Sequence, residues 1–344
     1  MIATTSRKTT RRRMLIRTAT GLGGIWAAEA ASLARGVAAE PDAAAPQSAA
    51  PAARPSSDAP CKPFRYCLNM GTIMGYKLSA VEEVEVAARA GYDGVEPWTR
   101  NLQRYAEEGG SLDDLGKRIA DRGLVVESAI GFPAWAVDDD AQRAAGLEQM
   151  KREMDMIRRI GGRRIAAPPA GINRTPGVDL RKVAERYRAV LELGREMGVV
   201  PQLEIWGSAL TLGTPGEAAM VAVQAGHPDA CLLLDVFHLY KSGSGFEGLR
   251  LLNAAAMHCF HLNDYPADPP RETITDGDRV FPGDGVAPLD FILRTVYDGG
   301  FRGALSLELF NRKYWERDVD EVARTGREKM AAAVARSLEA SPAP

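Results

Sequence analysis

Four side chains that can bind a metal or transfer a proton end four consecutive apolar runs in the second half of the chain. They are Glu204 in QLEIW, Asp235 in LLLDVFH, His261 in CFHLN and Glu308 in LSLELF. Three carboxylates buried together repel and desolvate one another unless a cation neutralises them. One imidazole and three carboxylates suit one divalent metal ion, with Mn²⁺ as the first expectation and Mg²⁺, Co²⁺ or Zn²⁺ as alternatives. The competing interpretation is four unrelated core residues that are satisfied by hydrogen bonds.

Such a site predicts chemistry next to a carbonyl group. A divalent metal that chelates the carbonyl oxygen and neighbouring hydroxyl of a keto sugar makes the adjacent C–H more acidic. Glu204 and Glu308 come from the two ends of the four-strand arc, so one can remove a proton and the other can return it through a metal-stabilised enediolate. This outcome is an isomerase or epimerase. If a leaving group lies β to the carbanion, the same residues give a lyase or dehydratase, and the residues alone do not choose between the two.

The four residues belong to a longer alternation of short apolar runs and amphipathic stretches that begins near residue 64. The predicted strands are residues 64–70, 92–98, 124–130, 163–169, 199–206, 230–236, 257–263 and 303–310. Alternation of this kind is typical of α/β proteins with a parallel sheet, and eight strands close a (β/α)8 TIM barrel. No GxGxxG motif opens a helix after the first predicted strand, and no GxxxxGK[ST] loop occurs, which disfavours an open nucleotide-binding sheet. We therefore predict a TIM barrel over residues 63–340.

The barrel prediction also indicates where these side chains point. Active sites of such barrels lie at the carboxyl ends of the strands. Side chains alternate along a strand, so the apolar neighbours of the four residues would face the helices and the four would face the barrel interior. By the same rule Cys67 and Cys259 belong to the core and His258 faces a helix.

These residues and their neighbours resemble the xylose isomerase-like family of sugar isomerases and epimerases, which includes D-tagatose 3-epimerase, inosose isomerase and inosose dehydratase. YDGVEPW is similar to the GxEx segment of the family's second strand, DVFH to its Asp-x-x-His, and HLND with RVFPGDG to its His-x-x-Asp and Arg-x-x-Pro-Gly-x-Gly. The resemblance covers residues 64–336. It implies that Glu204, Asp235, His261 and Glu308 bind the metal and that the two glutamates are the acid/base pair.

The resemblance also implies substrate contacts. It assigns His238 and Arg279 to contacts with a sugar substrate. Some family members cleave or hydrate 3-keto-glycosides. The alternative lyase, dehydratase or hydratase would therefore act on a 3-keto-glycoside or a keto-inositol. Four more residues are candidate substrate contacts from their positions: Glu96, Trp206, Lys241 and Arg271. Arg271 and Arg279 compete within the long insert YPADPPRETITDGDRVF, and we favour Arg279 because it matches the Arg-x-x-Pro register.

The first 62 residues differ in composition from the rest. Residues 1–39 combine an arginine cluster, a mildly apolar stretch and small residues, which is typical of an export signal, and Arg12-Arg13 followed by MLIR resembles a twin-arginine signal. The apolar stretch is too short for a stable membrane span. Residues 40–62 are rich in Ala, Pro and Ser, which predicts a flexible linker. We expect export to the periplasm or the cell exterior, which disfavours a sugar phosphate as substrate; a disordered basic tail is the alternative.

Composition limits the classes of partner. The chain of 344 residues has a formal net charge of −2, and loss of the basic first 39 residues would make it more negative. An acidic surface is a poor nucleic-acid partner, and four histidines are few for a nuclease of the endonuclease IV type on the same fold. The four cysteines show no CxxC spacing, and we expect no framework of structural disulfides. The expected partner is a small sugar. A non-catalytic sugar-binding module is a less favoured alternative to an enzyme. The resemblance allows a dimer or a tetramer.

Overall fold

Eight parallel strands form one curled sheet in the computed structural model, which describes residues 62–253 and 256–339. The strand order is β3-β2-β1-β8-β7-β6-β5-β4. The strands are β1 (Arg65–Asn69), β2 (Gly94–Glu96), β3 (Val125–Val126), β4 (Arg164–Ala167), β5 (Val200–Glu204), β6 (Leu232–Asp235), β7 (Met257–Leu262) and β8 (Ala304–Leu307). Each lies inside one predicted run, and the predicted TIM-barrel fold is confirmed. The predicted signal, and all of the predicted linker except its last residue, lie outside the described residues.

Helices connect the strands and cover the outside of the sheet. They are α1 (Ala80–Arg89), α2 (Thr99–Glu107), α3 (Leu112–Asp121), α4 (Asp140–Arg159), α5 (Leu180–Met197), α6 (Pro215–Ala225), α7 (Val236–Ser242), α8 (Leu289–Asp298) and α9 (Val319–Glu339). Short 3-10 helices occupy Met70–Tyr76, Glu247–Leu251, Asp276–Asp278 and Tyr314–Glu316. In the part of the chain that the structure describes, no helix is long and apolar enough to cross a membrane.

Local sequence signals set the ends of several helices. Ser79 forms a capping box with Glu82 at the start of α1, which satisfies backbone N–H groups that have no partner inside the helix. Thr214 and Glu217 form the same arrangement before α6. Gly198 ends α5 in the left-handed conformation, at φ 71°, where a residue without a Cβ atom is favoured. These caps fix where each helix returns the chain to the sheet.

The seam of the barrel lies between β3 and β4. The backbone N–H of Ala166 donates to the carbonyl of Ala129 at 2.8 Å across this seam. The side chain of Gln202 adds a hydrogen bond to Ser128 at 3.0 Å in the interior. Because β3 has only two residues, the loop that follows it completes the wall there.

The strand register places the candidate site residues at one end of the barrel. Asp235 pairs with His261 across β6 and β7, and Asn69 pairs with Glu96 across β1 and β2. Glu308 directly follows β8. The carboxyl ends of neighbouring strands therefore bring these side chains to one level, as the alternation rule predicts.

Cysteine residues in the described part of the chain are buried thiols without a disulfide partner: Cys67, Cys231 and Cys259. Cys67 and Cys259 lie in the core as predicted, both with no exposed surface. His258 is only partly buried, whereas His261 on the same strand is fully buried. The difference follows from their opposite directions along β7.

One ion pair at the opposite end of the barrel generates a stability prediction. The guanidinium of Arg65 donates to both carboxylate oxygens of Glu127, at 2.9 Å for Nη2 and Oε2, and the Glu127 side chain is only 1% exposed. Arg65→Met leaves this carboxylate buried without its partner, so we expect the free energy of unfolding to fall by about 2 kcal/mol. Chemical denaturation measures the change. The matched control is Arg336→Met, since Arg336 pairs with Asp290 on the surface and its loss should cost less than about 1 kcal/mol; equal effects of the two substitutions would contradict the prediction.

Candidate metal centre and substrate cavity

Three of the four predicted metal ligands come together at the carboxyl ends of β6, β7 and β8. The ligand atoms of Asp235, His261 and Glu308 all lie within 4.8 Å of one another. Nδ1 of His261 is 3.3 Å from Oε2 of Glu308 and 3.7 Å from Oδ2 of Asp235. Asp235 and His261 have no exposed surface, and Glu308 is 4% exposed. The structure therefore brings three of the four predicted residues together in one buried cluster.

Glu204 borders this cluster without joining it. Its side chain is buried, and Oε2 has no hydrogen-bond partner. Burial raises the pKa of Glu204 to about 8; the charge on His261 opposes this effect, and the negative charges of Glu308 and Asp235 add to it. An unpaired, buried carboxylate oxygen beside an acidic cluster is a position where a cation is stabilising.

Arg279 supplies a positive charge inside the cluster. One guanidinium nitrogen, Nη1, donates to Oδ2 of Asp235 at 2.9 Å and to Oε2 of Glu308 at 2.8 Å. The other, Nη2, donates to Asp276 at 2.6 Å and lies 3.3 Å from Nε2 of His238. Burial alone would lower the pKa of Arg279, but the charges of Asp235, Asp276 and Glu308 raise it above its ordinary value. Arg279 was predicted as a substrate contact, and its main contacts in the structure are these carboxylates.

The donor set fits a divalent metal ion. Two carboxylate oxygens face one imidazole nitrogen, and a third carboxylate with an unpaired oxygen lies beside them. Oxygen-rich sets with one imidazole suit Mn²⁺, Mg²⁺, Co²⁺ or Zn²⁺. Since Arg279 contacts the same oxygens of Asp235 and Glu308 that face His261, a bound metal and this guanidinium would share the negative charge of the site.

Glu96 lies behind His261 and not in a substrate cavity. Its Oε2 is 3.0 Å from Nε2 of His261, although neither ring nitrogen has a hydrogen bond of good geometry. Glu96 also accepts hydrogen bonds from Asn69 and Ser306. Burial would lower the pKa of His261, yet the carboxylates of Glu96 and Glu308 raise it well above its ordinary value. The prediction that Glu96 binds substrate is corrected: it is fully buried and is placed to orient His261, as carboxylates do behind metal-binding histidines.

Two asparagines that sequence reasoning missed hold the carboxylates in position. Nδ2 of Asn69 donates to Glu96 at 2.9 Å and to Glu308 at 3.1 Å. Nδ2 of Asn263 donates to Asp235 at 2.8 Å, and Oδ1 of Asn263 accepts from the backbone N–H of Phe237. Both residues stand at strand ends with inward parity, so the rule that selected Glu204 would also have selected them if amides had been included.

A cavity of about 230 Å³ opens over the cluster. It is lined by Trp98, Ile130, Phe132, Glu204, Trp206, Ser208, His238, Asp276, Arg279, Glu308 and Phe310. Of the four predicted ligands, Glu204 and Glu308 reach this cavity, while Asp235 and His261 lie behind it. Trp206, His238 and Arg279, which were predicted as substrate contacts, also line this cavity.

Aromatic rings form much of the cavity wall. The ring centroids of Trp98 and Phe132 are 5.2 Å apart, and those of Phe132 and Trp206 are 5.8 Å apart. Phe310 meets Trp98 edge to face at 6.0 Å. Phe132 is 38% exposed, which is high for a phenylalanine. Flat apolar faces next to carboxylates suit a sugar or polyol ring, which has an apolar face and polar edges.

His238 is fixed by the start of α7. Its backbone N–H donates to Oδ1 of Asp235 at 2.8 Å, so the predicted metal ligand also caps this helix. Burial lowers the pKa of His238, an effect that the charge of Asp235 opposes and that of Arg279 reinforces. Nδ1 of the ring has no hydrogen-bond partner among the described residues. A ring held next to the cavity with an unused nitrogen can hydrogen-bond a substrate hydroxyl.

Lys241 and Arg271 do not reach the cavity. Nζ of Lys241 donates to three backbone carbonyls of the insert before Arg279, at 2.8 Å from Arg271, 3.1 Å from Glu272 and 2.8 Å from Ile274. The side chain of Arg271 is exposed and lies 3.5 Å from Glu272. The expectation that either contacts substrate is corrected, because Lys241 holds the insert in place and Arg271 points to its surface.

Asp264 ties the two ends of this insert together. Its carboxylate accepts hydrogen bonds from the backbone N–H groups of Tyr265, Gly283, Gly285 and Ala287. Asp264 also pairs with Val280 through two backbone hydrogen bonds. A Cβ atom at Gly285 would lie 2.3 Å from Oδ1 of Asp264, so only glycine fits this turn. These contacts place Arg279, next to Val280, over the carboxylate cluster.

Residues 84–336 match the protein-family model described as xylose isomerase-like TIM barrel. The chain belongs to the xylose isomerase-like TIM barrel family. It is 25% identical over 277 residues to an inosose isomerase of Bacillus velezensis, which covers 79% of this chain and 98% of the relative. It is also 28% identical over 239 residues to a 3-dehydroshikimate dehydratase of Pseudomonas aeruginosa, which covers 67% of this chain and only 36% of that longer protein.

Solved structures share the fold of this family member. The IolI protein with a bound zinc atom superposes with a TM-score of 0.72 at 23% identity, over 80% of this chain and all (100%) of that one. An L-ribulose 3-epimerase superposes with a TM-score of 0.62 at 21% identity, over 82% of this chain and 100% of that one. The curated relatives are therefore isomerases and dehydratases, which supports an enzyme that acts on a small molecule.

The position of Arg279 inside the carboxylate cluster gives a prediction that metal binding can test. Arg279→Gln leaves Asp235 and Glu308 without their guanidinium, so we expect the free energy of unfolding of the metal-free protein to fall by about 3 kcal/mol. Added Mn²⁺ or Zn²⁺ should raise the melting temperature of this variant more than that of the wild type, because the metal then replaces the missing charge. Arg279→Lys, which retains one cation, is the matched control and should lie between the two. Equal metal-induced shifts in all three proteins would contradict a shared charge site.

Proposed function

We propose that this protein is a metal-dependent isomerase or epimerase that removes and returns a proton next to the carbonyl of a keto sugar or keto polyol. The observation that carries the proposal is the placement of Glu204 and Glu308. Both glutamates border the buried Asp235–His261 cluster and both line the cavity above it. Two carboxyl groups that reach one substrate allow one to remove a proton and the other to return it.

Asp235, His261, Glu308 and Glu204 would hold the metal, with Mn²⁺ as the first expectation. When bound, the metal ion supplies a Lewis acid that polarises the substrate carbonyl and acidifies the neighbouring C–H. The chain's own residues do the rest. Asn69 holds the carboxylate of Glu308 through a hydrogen bond of 3.1 Å, so this group is fixed before the substrate arrives.

Glu204 and Glu308 differ in their surroundings, which suits an acid/base pair. Glu308 is paired with Arg279, whereas no cation lies within 4.0 Å of the carboxylate of Glu204 in the described structure. Two carboxyl groups in unequal environments can hold a proton on one side of a substrate and accept one on the other. His238 and Arg279 are placed to orient substrate hydroxyls, and the aromatic wall excludes water from the reacting carbon.

Elimination is the second candidate function, and the similarity to 3-dehydroshikimate dehydratases favours it. The same carbanion loses water or an alcohol if a leaving group lies in the β position. The glutamate that removed the proton can return it to the leaving oxygen, and His238 lines the same cavity next to that group. The substrate would then be a 3-keto-glycoside, a keto-inositol or a related carbocyclic ketone.

The predicted export signal bears on the substrate. We propose that the protein acts outside the cytoplasm, where an unphosphorylated keto sugar or keto-glycoside is the expected ligand. The twin-arginine motif at Arg12 and Arg13 supports this. Recovery of the chain only from the cytoplasmic fraction of its cells would contradict it. A dimer or tetramer stays a prediction from the resemblance.

The test of the proposed function is proton exchange in D₂O. Purified metal-loaded protein is incubated with ketohexoses, an inosose, 3-dehydroshikimate and a 3-keto-glucoside, and deuterium incorporation next to the carbonyl is followed by NMR. We expect incorporation into at least one of them, and a reduction of about a hundredfold or more in Glu308→Gln and Glu204→Gln. The metal content of each variant is measured in the same samples, because each glutamate is also a proposed ligand.

The matched control is Glu153→Gln. Glu153 is a buried glutamate on α4 that pairs with Gln149 at 2.8 Å outside the cavity, so exchange should continue in this variant. Deuterium exchange with an isomer or epimer as the product identifies an isomerase or epimerase. An unsaturated product, detected by its ultraviolet absorbance, identifies an elimination enzyme. Wild-type protein that binds metal but exchanges no proton in any of these compounds would overturn the proposal.

A further inference from the structure

A second cavity lies beyond the aromatic wall of the substrate cavity, between the start of α1 and the first turns of α2. Its volume is about 290 Å³. It is lined by Met74, Lys77, Leu78, Glu83, Arg100, Asn101 and Arg104. Three of these seven residues are cationic, and neither the sequence motifs nor the proposed reaction uses them.

Lys77, Arg100 and Arg104 form no ion pair with any residue in the described part of the chain. Arg100 stacks on Trp98, 4.3 Å from the ring centroid, and Arg104 donates to the backbone carbonyl of Leu78 at 3.1 Å. Arg100 and Arg104 are four residues apart on one helix, where like charges repel each other. The cavity therefore concentrates positive charge that the described structure does not neutralise.

The neighbouring arginines differ from these three cations. Arg118 and Arg122 on the neighbouring α3 both pair with Glu85. In the cavity the only carboxyl group is Glu83, whose Oε1 accepts from Asn101 at 2.8 Å. Burial raises the pKa of Glu83 to about 8, against the opposing effects of the Asn101 hydrogen bond and of the charges on Arg104 and Arg100. A carboxyl group with so raised a pKa offsets the three cations less than an ordinary carboxylate does.

The backbone at Lys77 points to a role for its side chain. Lys77 has φ 55° and ψ 38°, in the left-handed region, and its N–H closes the 3-10 helix on Met74 at 3.2 Å. This conformation costs a residue with a Cβ atom about 1 kcal/mol relative to glycine. A lysine at this position adds a cation to the cavity where glycine would suit the backbone better.

We propose that this cavity binds a small oxyanion, such as inorganic phosphate, sulfate or the carboxylate of an organic acid. Two guanidinium groups and an ammonium group supply the charge-assisted hydrogen bonds that such an anion requires. The volume admits a tetrahedral oxyanion with a short organic substituent. This site is separate from the cluster of Asp235, His261 and Glu308 and does not depend on the proposed function.

A chain of contacts links this cavity to the catalytic cluster. Arg100 stacks on Trp98, the indole Nε1 of Trp98 donates to Oδ1 of Asn69 at 2.9 Å, and Nδ2 of Asn69 donates to Glu308 at 3.1 Å. An anion that moves Arg100 therefore changes the support of the substrate wall. This effect on the substrate cavity rests on the proposed function, whereas anion binding itself does not.

The test is isothermal titration calorimetry of the full chain with inorganic phosphate and with sulfate, at constant ionic strength set with sodium chloride. We expect saturable binding to the wild type, weakened about tenfold in Arg104→Gln by the loss of a charge-assisted hydrogen bond. Lys77→Gly should weaken binding by a similar factor. Because glycine adopts the left-handed backbone conformation of this residue without strain, weaker binding in this variant reflects the lost cation and not misfolding. Arg122→Gln is the matched control, since it removes a nearby arginine that is already paired, and its affinity should stay at the wild-type value.

Three results would overturn the proposal. These are no saturable binding to the wild type at millimolar phosphate or sulfate, equal affinity in the wild type and in both cavity variants, or equal weakening in Arg122→Gln. The outcome is independent of proton exchange into keto sugars, so failure here and failure of the proposed function are distinguishable. If phosphate binds and also changes the exchange rate in the wild type but not in Arg104→Gln, the link through Trp98 is supported.

Discussion

The negative charge buried at the carboxyl ends of β6, β7 and β8 is the constraint on which the site depends. Two buried carboxylates destabilise each other unless a cation lies between them, and Arg279 provides one to Asp235 and Glu308 from the insert after β7. Much of the surrounding structure serves to hold this arrangement. Asp264 joins the two ends of the insert and Lys241 holds its middle, while Asn69 and Asn263 donate hydrogen bonds to Glu308 and Asp235.

This arrangement separates residues that hold charge from residues that face a ligand. Asp235 and His261 are fully buried, and Glu96 supports His261 from behind. Glu204 and Glu308 reach the aromatic cavity with His238 and Arg279. A metal-dependent reaction next to a carbonyl needs this division, since a rigid ligand shell must adjoin two carboxyl groups that reach the reacting carbon.

The eight strands and the four strand-end residues were predictable from the sequence because both follow from periodicity. Apolar runs separated by helical stretches give the barrel, and inward parity gives Glu204, Asp235, His261 and Glu308. The partners of long side chains were not predictable. Lys241 and Arg271 were expected at the substrate, but the first turns toward carbonyls of the insert and the second toward solvent. These contacts depend on the path of an insert that has no regular periodicity. Glu96 was placed at the substrate because the sequence pattern does not indicate how far below the cavity a side chain lies.

The most direct test of the central claim is anomalous diffraction from crystals of the protein soaked in Mn²⁺. The account predicts one strong peak within coordination distance of Asp235, His261 and Glu308, with Glu204 as the fourth protein ligand and both glutamates lining the open side of the metal. A peak at the surface only, or no peak while Arg279 keeps its contacts with Asp235 and Glu308 at saturating metal, would contradict it.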